Sequence, residues 1–226
     1  MSNPSTVSLS LVAAVSNGIA QSQQPLAAGN LTLNGSLVVN GVALMDVARR
    51  VVIASTGADS GKVFTLFGRD RNGNYQSETI TGVVSGTTQY SLGDYLMIIA
   101  ITVSAATAGN ITVGTNGVGS TVWVVDNFLQ VGWALGGGIT GPAGTTYTLE
   151  HTYTDPNSIA GQGQIGAQQF SMSPGGAVPP HVYVYNGIVA ASGDNQFMYS
   201  WPIFAHRLTI NSGTGLVTMD SLRSGP

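Results

Sequence analysis

The chain has 226 residues, a formal net charge of −3 and only 8% charged residues, against roughly 25% in an ordinary soluble domain. Its 43% hydrophobic residues argue against intrinsic disorder, and its seven cations, which form no basic run, argue against nucleic-acid binding. The lack of cysteine excludes disulfides and thiolate metal sites. The missing charge fits either a neutral Ser/Thr-coated surface or, as we favour, a large surface buried in an assembly.

Alternating segments bounded by glycine predict β-strands from residue 30 onward. Residues 30–41 predict two short strands around Asn34-Gly35. Residues 62–70 and 76–81 predict a hairpin closed by Asn72-Gly73, because Asn-Gly supplies the positive φ angles of a type I′ turn. No window sustains an amphipathic helix of three turns, and no apolar run reaches the roughly 20 residues of a membrane span.

The pattern of the first half starts again after residue 121. Residues 145–157 parallel residues 62–74, and residues 207–219 parallel residues 101–113. We interpret this as duplication of one β-unit, with a linker near residues 115–122. A single sandwich that uses strands from both halves is the alternative.

The predicted fold class is therefore all-β, with two tandem antiparallel β-sandwich or jelly-roll-like units. Residues 1–45 are predicted to form an extended N-terminal arm, residues 46–118 the first β-domain, and residues 119–226 the second. Within the second domain, residues 158–180 are rich in Gly, Gln and Pro and have no periodicity. We predict that they form an insertion.

Motifs that would carry chemistry are incomplete. The G-x-G-x-x-G spelling at residues 161–166 has neither the preceding strand nor the following helix that dinucleotide binding needs. Residues 70–74 begin like an EF-hand loop, but Tyr75 and Thr81 stand where its glycine and glutamate are required. A hairpin turn with local side-chain caps explains the same residues.

Catalytic and metal-binding constellations are also lacking. His151, His181 and His206 form no ligand pair at short spacing. Glu78 and Glu150 are a conceivable glycosidase pair, but carboxylates are sparse and no aromatic groove is evident around both. We predict that the protein is not an enzyme and has no catalytic, cofactor-binding or metal-binding residues and no cofactor.

Aromatic residues cluster just after the linker and again near the end of the chain. Most must fill a core, but Trp and Tyr are also enriched at interface hot spots. The possible interface anchors are Trp123, Trp133, Tyr183, Tyr185 and Trp201.

Several segments resemble modules of tailed-phage virion proteins. They are residues 50–74 (RVVIASTGADSGKVFTLFGRDRNGN), 77–82 (SETITG), 107–115 (TAGNITVGT), 147–156 (YTLEHTYTDP) and 205–215 (AHRLTINSGTG). The resemblance is one of module type and covers roughly residues 50–115 and 121–222. The insertion at residues 158–180 departs from the usual pattern, in which that loop is shorter. Because such modules are structural, the resemblance supplies no catalytic residues.

The resemblance implies a virion structural protein that is assembled in the host cytoplasm. We expect a capsid decoration (cement) protein that stabilises the head through contacts with the major capsid protein and with copies of itself. A trimer would suit a three-fold capsid position. Neither nucleic acid nor membrane is an expected partner. One alternative is a tail or head-to-tail connector component. Another is a carbohydrate- or receptor-binding β-module of a fibre, which would need an exposed aromatic platform.

Overall fold

The computed structural model describes residues 3–71, 73–126, 134–153 and 182–224. In these residues the protein is all-β, which confirms the predicted fold class: sixteen strands form antiparallel sheets, and there is no helix. A membrane-spanning helix is accordingly not found in the described residues. The strands are β1 (Asn3–Leu9), β2 (Ala20–Gln23), β3 (Gly29–Asn30), β4 (Val38–Val39), β5 (Val42–Ser55), β6 (Val63–Arg69), β7 (Tyr75–Thr81), β8 (Thr88–Val103), β9 (Ile111–Ser120), β10 (Val124–Val125), β11 (Ala134–Thr140), β12 (Thr146–Thr152), β13 (Val182–Val184), β14 (Asn195–Tyr199), β15 (Ala205–Ser212) and β16 (Val217–Ser224).

The described residues fall into two compact units. The N-terminal unit comprises residues 14–116, and the C-terminal unit comprises residues 3–13 together with the described residues from 117 onward. The division falls inside β9, so the predicted linker near residues 115–122 is instead largely a strand. Pairing of Gly119 and Ser120 with β15 explains the difference, since backbone hydrogen bonds hold this Gly-rich stretch extended.

The N-terminal unit is built on the strand order β9-β5-β8-β6-β7. Short strands β2, β3 and β4 pair with β9, β8 and β5, respectively. Burial alternates along β6, where Phe64 and Leu66 are buried and their neighbours are less so, as expected for a strand with one face on a core. The core comprises Ile19, Ala20, Leu31, Ala43, Met45, Val51, Ile53, Phe64, Leu66, Ile80, Tyr95, Ile98, Ile101, Val103, Ile111 and Val113.

The segment predicted as an N-terminal arm supplies strands to both units. β1 pairs along its whole length with β16 of the C-terminal unit, from Asn3↔Arg223 to Leu9↔Val217. β2, β3 and β4 belong to the N-terminal unit. The apolar residues of this segment are the reason, because Leu9, Ile19 and Leu31 are buried and an extended arm would leave them in water.

Both predicted Asn-Gly turns differ in detail from the structure. Asn34-Gly35 closes no hairpin; the type I′ geometry occurs at Asn40-Gly41, where φ is 52° and 80°, between the paired residues Val39 and Val42. The β6–β7 hairpin forms as predicted, from Val63↔Thr81 to Arg69↔Tyr75. Its loop is longer than two residues, since the N–H of Asp70 donates to the carbonyl of Asn74 (2.9 Å) and Gly73 has a φ of 81°.

Two loops of the N-terminal unit pack directly against each other at Gly57 and Gly109. The N–H of Thr56 donates to the carbonyl of Asn110 (3.0 Å), and the N–H of Asn110 donates to the hydroxyl of Thr56 (2.9 Å). A Cβ on either glycine would overlap the backbone of the other, so the close approach requires glycine at both positions.

The buried carboxylate of Glu78 on β7 is hydrogen-bonded to the backbone of β8. Its two oxygens accept the N–H groups of Leu92 (2.7 Å) and Gly93 (3.1 Å). Burial raises the pKa of Glu78 to about 7, although the two amides and the charge of Arg50 act in the opposite direction. The carboxyl group therefore changes charge near neutral pH while it is enclosed in the fold.

Glu78 is expected to make the N-terminal unit less stable as pH rises. Its folded-state pKa of about 7 lies above the ordinary 4.5, so between these values the folded chain keeps a proton that the unfolded chain has released. The free energy of unfolding should fall across this window, by up to about 3 kcal/mol, and stay low above it. Urea unfolding followed by circular dichroism from pH 4.5 to 8 should show this slope, and E78Q should flatten it.

Asp59 provides a control of opposite sign for that experiment. Burial pushes its pKa upward, but hydrogen bonds from Ser55 and from the amides of Ala108 and Gly109 hold the pKa below its ordinary value. Stability from Asp59 is present above the unfolded pKa of 3.8 and is lost as pH falls through the folded pKa. D59N should therefore leave the slope between pH 4.5 and 7 in place. If the free energy of unfolding changed with pH in the same way for wild type and E78Q, the assignment of the slope to Glu78 would be wrong.

The C-terminal unit consists of two antiparallel sheets. One has the order β1-β16-β11-β14, and the other contains β13, β12, β15 and the end of β9, with β10 also paired to β15. Side chains from the two sheets meet between them: the rings of Phe197 and His206 lie 6.2 Å apart, and the hydroxyl of Tyr199 lies 3.2 Å from Nδ1 of His151. This arrangement is a β-sandwich.

A candidate functional site in the C-terminal unit

Aromatic side chains from three strands converge in the C-terminal unit. Within each set they are spaced two residues apart, and this spacing puts neighbouring members of a set on one face of a strand. β12 and the residue after it contribute His151 and Tyr153, β13 and the residue after it contribute Tyr183 and Tyr185, and β14 and the following loop contribute Phe197, Tyr199 and Trp201. The pairing His151↔Tyr183 joins the first two sets across neighbouring strands.

His151 is the centre of this aromatic cluster. Its ring stacks on Tyr183 with 5.6 Å between centroids, and it makes edge contacts with Tyr153 (5.4 Å) and Tyr199 (5.1 Å). Burial, and next the nearby His206, lower the pKa of His151. The imidazole is therefore neutral at neutral pH, and the centre of the cluster carries no charge.

Tyr199 and Tyr185 fix the cluster to the sandwich. Tyr199 is fully buried and packs edge-on against Tyr185 (5.1 Å between centroids). Burial, followed by the neighbouring groups Tyr185, Tyr153 and Asp126, raises the pKa of Tyr199, so its hydroxyl stays protonated. The hydroxyl of Tyr185 donates to the carbonyl of Met198 (3.3 Å) and accepts from its N–H (3.2 Å), which holds the edge of β14.

Three rings of the cluster are open to solvent. Tyr153, Tyr183 and Trp201 are 47%, 42% and 49% exposed, although each packs against a buried ring. They are three of the five exposed aromatic side chains among the described residues; the others, Tyr75 and Tyr90, belong to the N-terminal unit. Exposed aromatic surface is thus concentrated at one place in the C-terminal unit.

The structure brings together three of the five predicted interface anchors: Tyr183, Tyr185 and Trp201. Trp123 lies under the guanidinium of Arg207, 4.6 Å from the ring centroid, and so has a partner in its own chain. Trp133 lies outside the described residues, as do His181, the G-x-G-x-x-G spelling and the predicted insertion at residues 158–180. His151, Tyr153 and Tyr199 are not among the predicted interface anchors, although the two-residue spacings 151/153 and 199/201 are readable from the sequence.

A buried ionic cluster lies near the aromatic one. Asp126 and His206 are fully buried, with Oδ2 of Asp126 2.6 Å from Nδ1 of His206. Oδ1 of Asp126 is 2.8 Å from Nε of Arg223, and Arg223 also donates to the carbonyl of Val125 (2.5 Å). Since His206 is on β15 and Arg223 is on β16, the carboxylate links the two sheets.

These groups do not form a catalytic arrangement in the described part of the chain. Nε2 of His206 is buried and has no hydrogen-bond partner there, whereas an activated nucleophile would be bonded to it. Glu78 is held by backbone amides, and Glu150 is paired with Arg207 (2.7 Å) in the other unit. No group of three or more acidic or histidine side chains among these residues could hold a metal ion.

The outer face of the four-stranded sheet is almost free of charge. Strand register aligns Pro4, Leu222, Gly136 and Met198 in one row across all four strands. Leu222 and Met198 are 50% and 67% exposed. Among the described residues of this face, Asp220 alone is charged. The face comprises Pro4, Thr6, Ser8, Gly136, Gly138, Thr140, Gln196, Met198, Thr218, Asp220 and Leu222.

Glycine makes the middle of this outer face shallow. A Cβ on Gly136 or Gly138 would meet only one backbone oxygen, at 3.6 Å and 3.8 Å, respectively. Packing within the chain therefore does not require glycine at either position, in contrast to Gly137, where a Cβ would overlap the backbone of Asp220. Gly136 leaves a gap between the side chains of Leu222 and Met198, and Gly138 leaves one between those of Asp220 and Gln196.

Fold and site together define an all-β protein with a sandwich-type unit, an exposed aromatic cluster and a charge-poor sheet face. Comparison of the chain with protein-family models, with curated proteins and with solved structures finds no match.

Proposed function

We propose that this chain is a structural protein of a tailed-phage virion, and specifically a decoration protein that binds over the seams between capsid subunits. The observation that carries the proposal is the outer face of the four-stranded sheet, defined above. It is exposed, has no side chains at Gly136 and Gly138 in its middle, and carries a single charge at Asp220. Charge on a surface keeps it solvated and discourages association, so a face with so little charge is suited to burial.

The edge strands of this sheet support the same proposal. β1 and β14 each pair with one neighbour only in the described sheet, and neither contains a charged residue. Soluble proteins usually protect such edges with lysine, proline or a covering loop, because unpaired backbone groups recruit further strands. Here Pro4 and the Tyr185 hydroxyl are the protective features that we identify, which leaves backbone groups of β1 for a partner strand.

The mechanism that we propose is mechanical. Each copy buries its charge-poor face against the major capsid protein or against another copy, and a trimer would suit a three-fold position of the shell. Each contact is weak, but many symmetric contacts add through multivalency and strengthen the shell against internal DNA pressure.

Incubation of the purified protein with undecorated capsids, followed by cryo-electron microscopy, tests this function. Saturating and icosahedrally ordered density on the capsid is the expected result. Binding to tails or connectors alone would assign the chain to the alternative, a tail or head-to-tail component. Absence of binding to either structure would overturn the proposal.

A lysine at Met198 or Leu222 is expected to weaken capsid binding at least tenfold, because burying an unpaired charge at an interface costs more than about 1.4 kcal/mol. Both side chains point to solvent, so the fold should tolerate the change. The measurement is capsid occupancy as a function of protein concentration. L26K is the matched control, since Leu26 is 84% exposed in the N-terminal unit. Equal weakening by all three variants would contradict the role of the outer face.

A further inference from the structure

The aromatic cluster has a geometry that the proposed virion role does not explain. Tyr153, Tyr183 and Trp201 keep about half of their surface in solvent, although each packs against a buried ring. A core would enclose them, and a loosely held surface residue would not be packed in this way. The rings are therefore held in place, and their exposed faces are suited to contact with a ligand.

The rigidity of the platform comes from the buried rings beneath it. His151 and Tyr199 are buried, lie 5.1 Å apart, and are joined by the contact between the Tyr199 hydroxyl and Nδ1 of His151. Tyr153 and Tyr183 also pack on each other, with 5.2 Å between centroids. A platform that is ordered before binding loses little conformational entropy when a ligand arrives.

The chemistry of the exposed rings indicates the class of ligand. They are two tyrosines and a tryptophan, which combine an apolar ring face with a polar group at the ring edge. A sugar ring has the complementary pattern, with C–H groups on its faces and hydroxyls around its edge. An apolar protein segment would be matched better by Leu, Met or Phe, and the one phenylalanine of the cluster, Phe197, is buried.

The charge of the site further narrows the class of ligand. The cluster is built from tyrosine, tryptophan, phenylalanine and a neutral histidine, and none of its rings contributes a cation for a phosphate or sialic acid. The two arginines of the described C-terminal unit, Arg207 and Arg223, are paired with Glu150 and Asp126, respectively. From this arrangement we infer that the rim formed by Tyr153, Tyr183 and Trp201 is a binding site for neutral carbohydrate. This inference does not depend on the proposed virion role.

Titration with neutral oligosaccharides tests the inference. Cellohexaose, maltohexaose and chitohexaose are added to the intact protein, with isothermal calorimetry and tryptophan fluorescence as readouts, and an array of neutral glycans widens the search. At least one neutral glycan is expected to bind, with a Kd of about 0.1–1 mM for a single site. 6′-Sialyllactose and decaproline test the acidic-glycan and peptide alternatives, and neither should bind.

Variants identify the site. W201A and Y183A should weaken binding by at least about tenfold, which is the loss of one well-packed ring contact. W201F keeps a ring and should retain most of the affinity. Y75A and Y90A remove exposed tyrosines of the N-terminal unit and should have no effect.

Three results would overturn the inference: no neutral glycan bound at about 10 mM, which is weaker than any useful site; binding that survives W201A and Y183A; or binding of decaproline or sialyllactose only. Near-ultraviolet circular dichroism of each variant shows that the fold is intact. Capsid binding is measured separately, so failure of this site and failure of the decoration role remain distinguishable.

Discussion

Asp126→Asn is expected to destabilise the C-terminal unit by about 3 kcal/mol. The substitution leaves the charge of Arg223 without its carboxylate partner and weakens the contacts of residue 126 with His206 and Arg223 in a buried cluster. Asp126 is fully buried and is the common partner of His206 (2.6 Å) and Arg223 (2.8 Å). Asparagine has nearly the same shape, so the loss reports on charge and hydrogen bonding rather than on a cavity. Arg223 is left in a largely enclosed position without its counter-ion.

Tryptophan fluorescence measures this loss of stability in the C-terminal unit. Residues 14–116 contain no tryptophan, whereas Trp123 and Trp201 belong to the C-terminal unit, so urea unfolding followed by tryptophan emission reports on that unit. D220N removes a carboxylate from the exposed outer face and should change the free energy of unfolding by no more than about 0.5 kcal/mol. The double variant D126N/R223M should lose less than the sum of its single variants, since the stranded cation is also removed. Strict additivity would show that the two side chains do not act together.

Gly57→Ala is expected to destabilise the N-terminal unit by about 3 kcal/mol, at the upper end for overpacking, because the obstacle is backbone. The added Cβ would overlap the backbone of Ala108 and Gly109, which flexible side chains cannot relieve. Separation of the two loops would also weaken the bonds between Thr56 and Asn110 and the bond from Ala108 to Asp59 (2.6 Å). Thermal and urea unfolding followed by circular dichroism measure the loss.

Gly61→Ala is the matched control for Gly57→Ala. Gly61 lies at the end of the same loop, a Cβ there would meet nothing within 4 Å, and its φ is not positive. Alanine at this position should be neutral or stabilise the unit by up to about 1 kcal/mol, because it restricts the unfolded chain. Equal destabilisation by both variants would show that the loop rejects any side chain, and that the contact with Gly109 is not the cause.

Fold class follows from local features of this sequence, but strand partners do not. Alternating segments such as residues 63–69, bounded by glycine and turn residues, indicate strands without knowledge of their neighbours. Asn34-Gly35 and Asn40-Gly41 are the same dipeptide, yet only the second forms the type I′ turn. Gly35 instead donates to the carbonyl of Ile19 (3.1 Å), a contact that no local pattern contains.

The candidate site shows the same division between local and long-range information. The two-residue spacing of His151 and Tyr153, and again of Tyr183 and Tyr185, places each pair on one face and is readable from the sequence. That β13 lies beside β12 is a long-range choice, made by packing of the whole unit. The ionic cluster was not predictable, because Asp126, His206 and Arg223 are far apart in the chain and have no motif spacing.

The pairing of β1 with β16 also sets an order of events during synthesis. Thr6 and Asp220, which are hydrogen-bonded in this pair, are separated by 214 residues. All of residues 14–116 leave the ribosome before β16 exists, so the N-terminal unit can complete its fold while β1 still waits for its partner. Because so large a loop must close, formation of the β1–β16 pair is a late step in folding. The large loop slows this step more than it lowers the stability of the folded protein. Until then β1 is an uncharged, unpaired strand, so the interval between its synthesis and that of β16 is when the nascent chain is most prone to pair with a second copy.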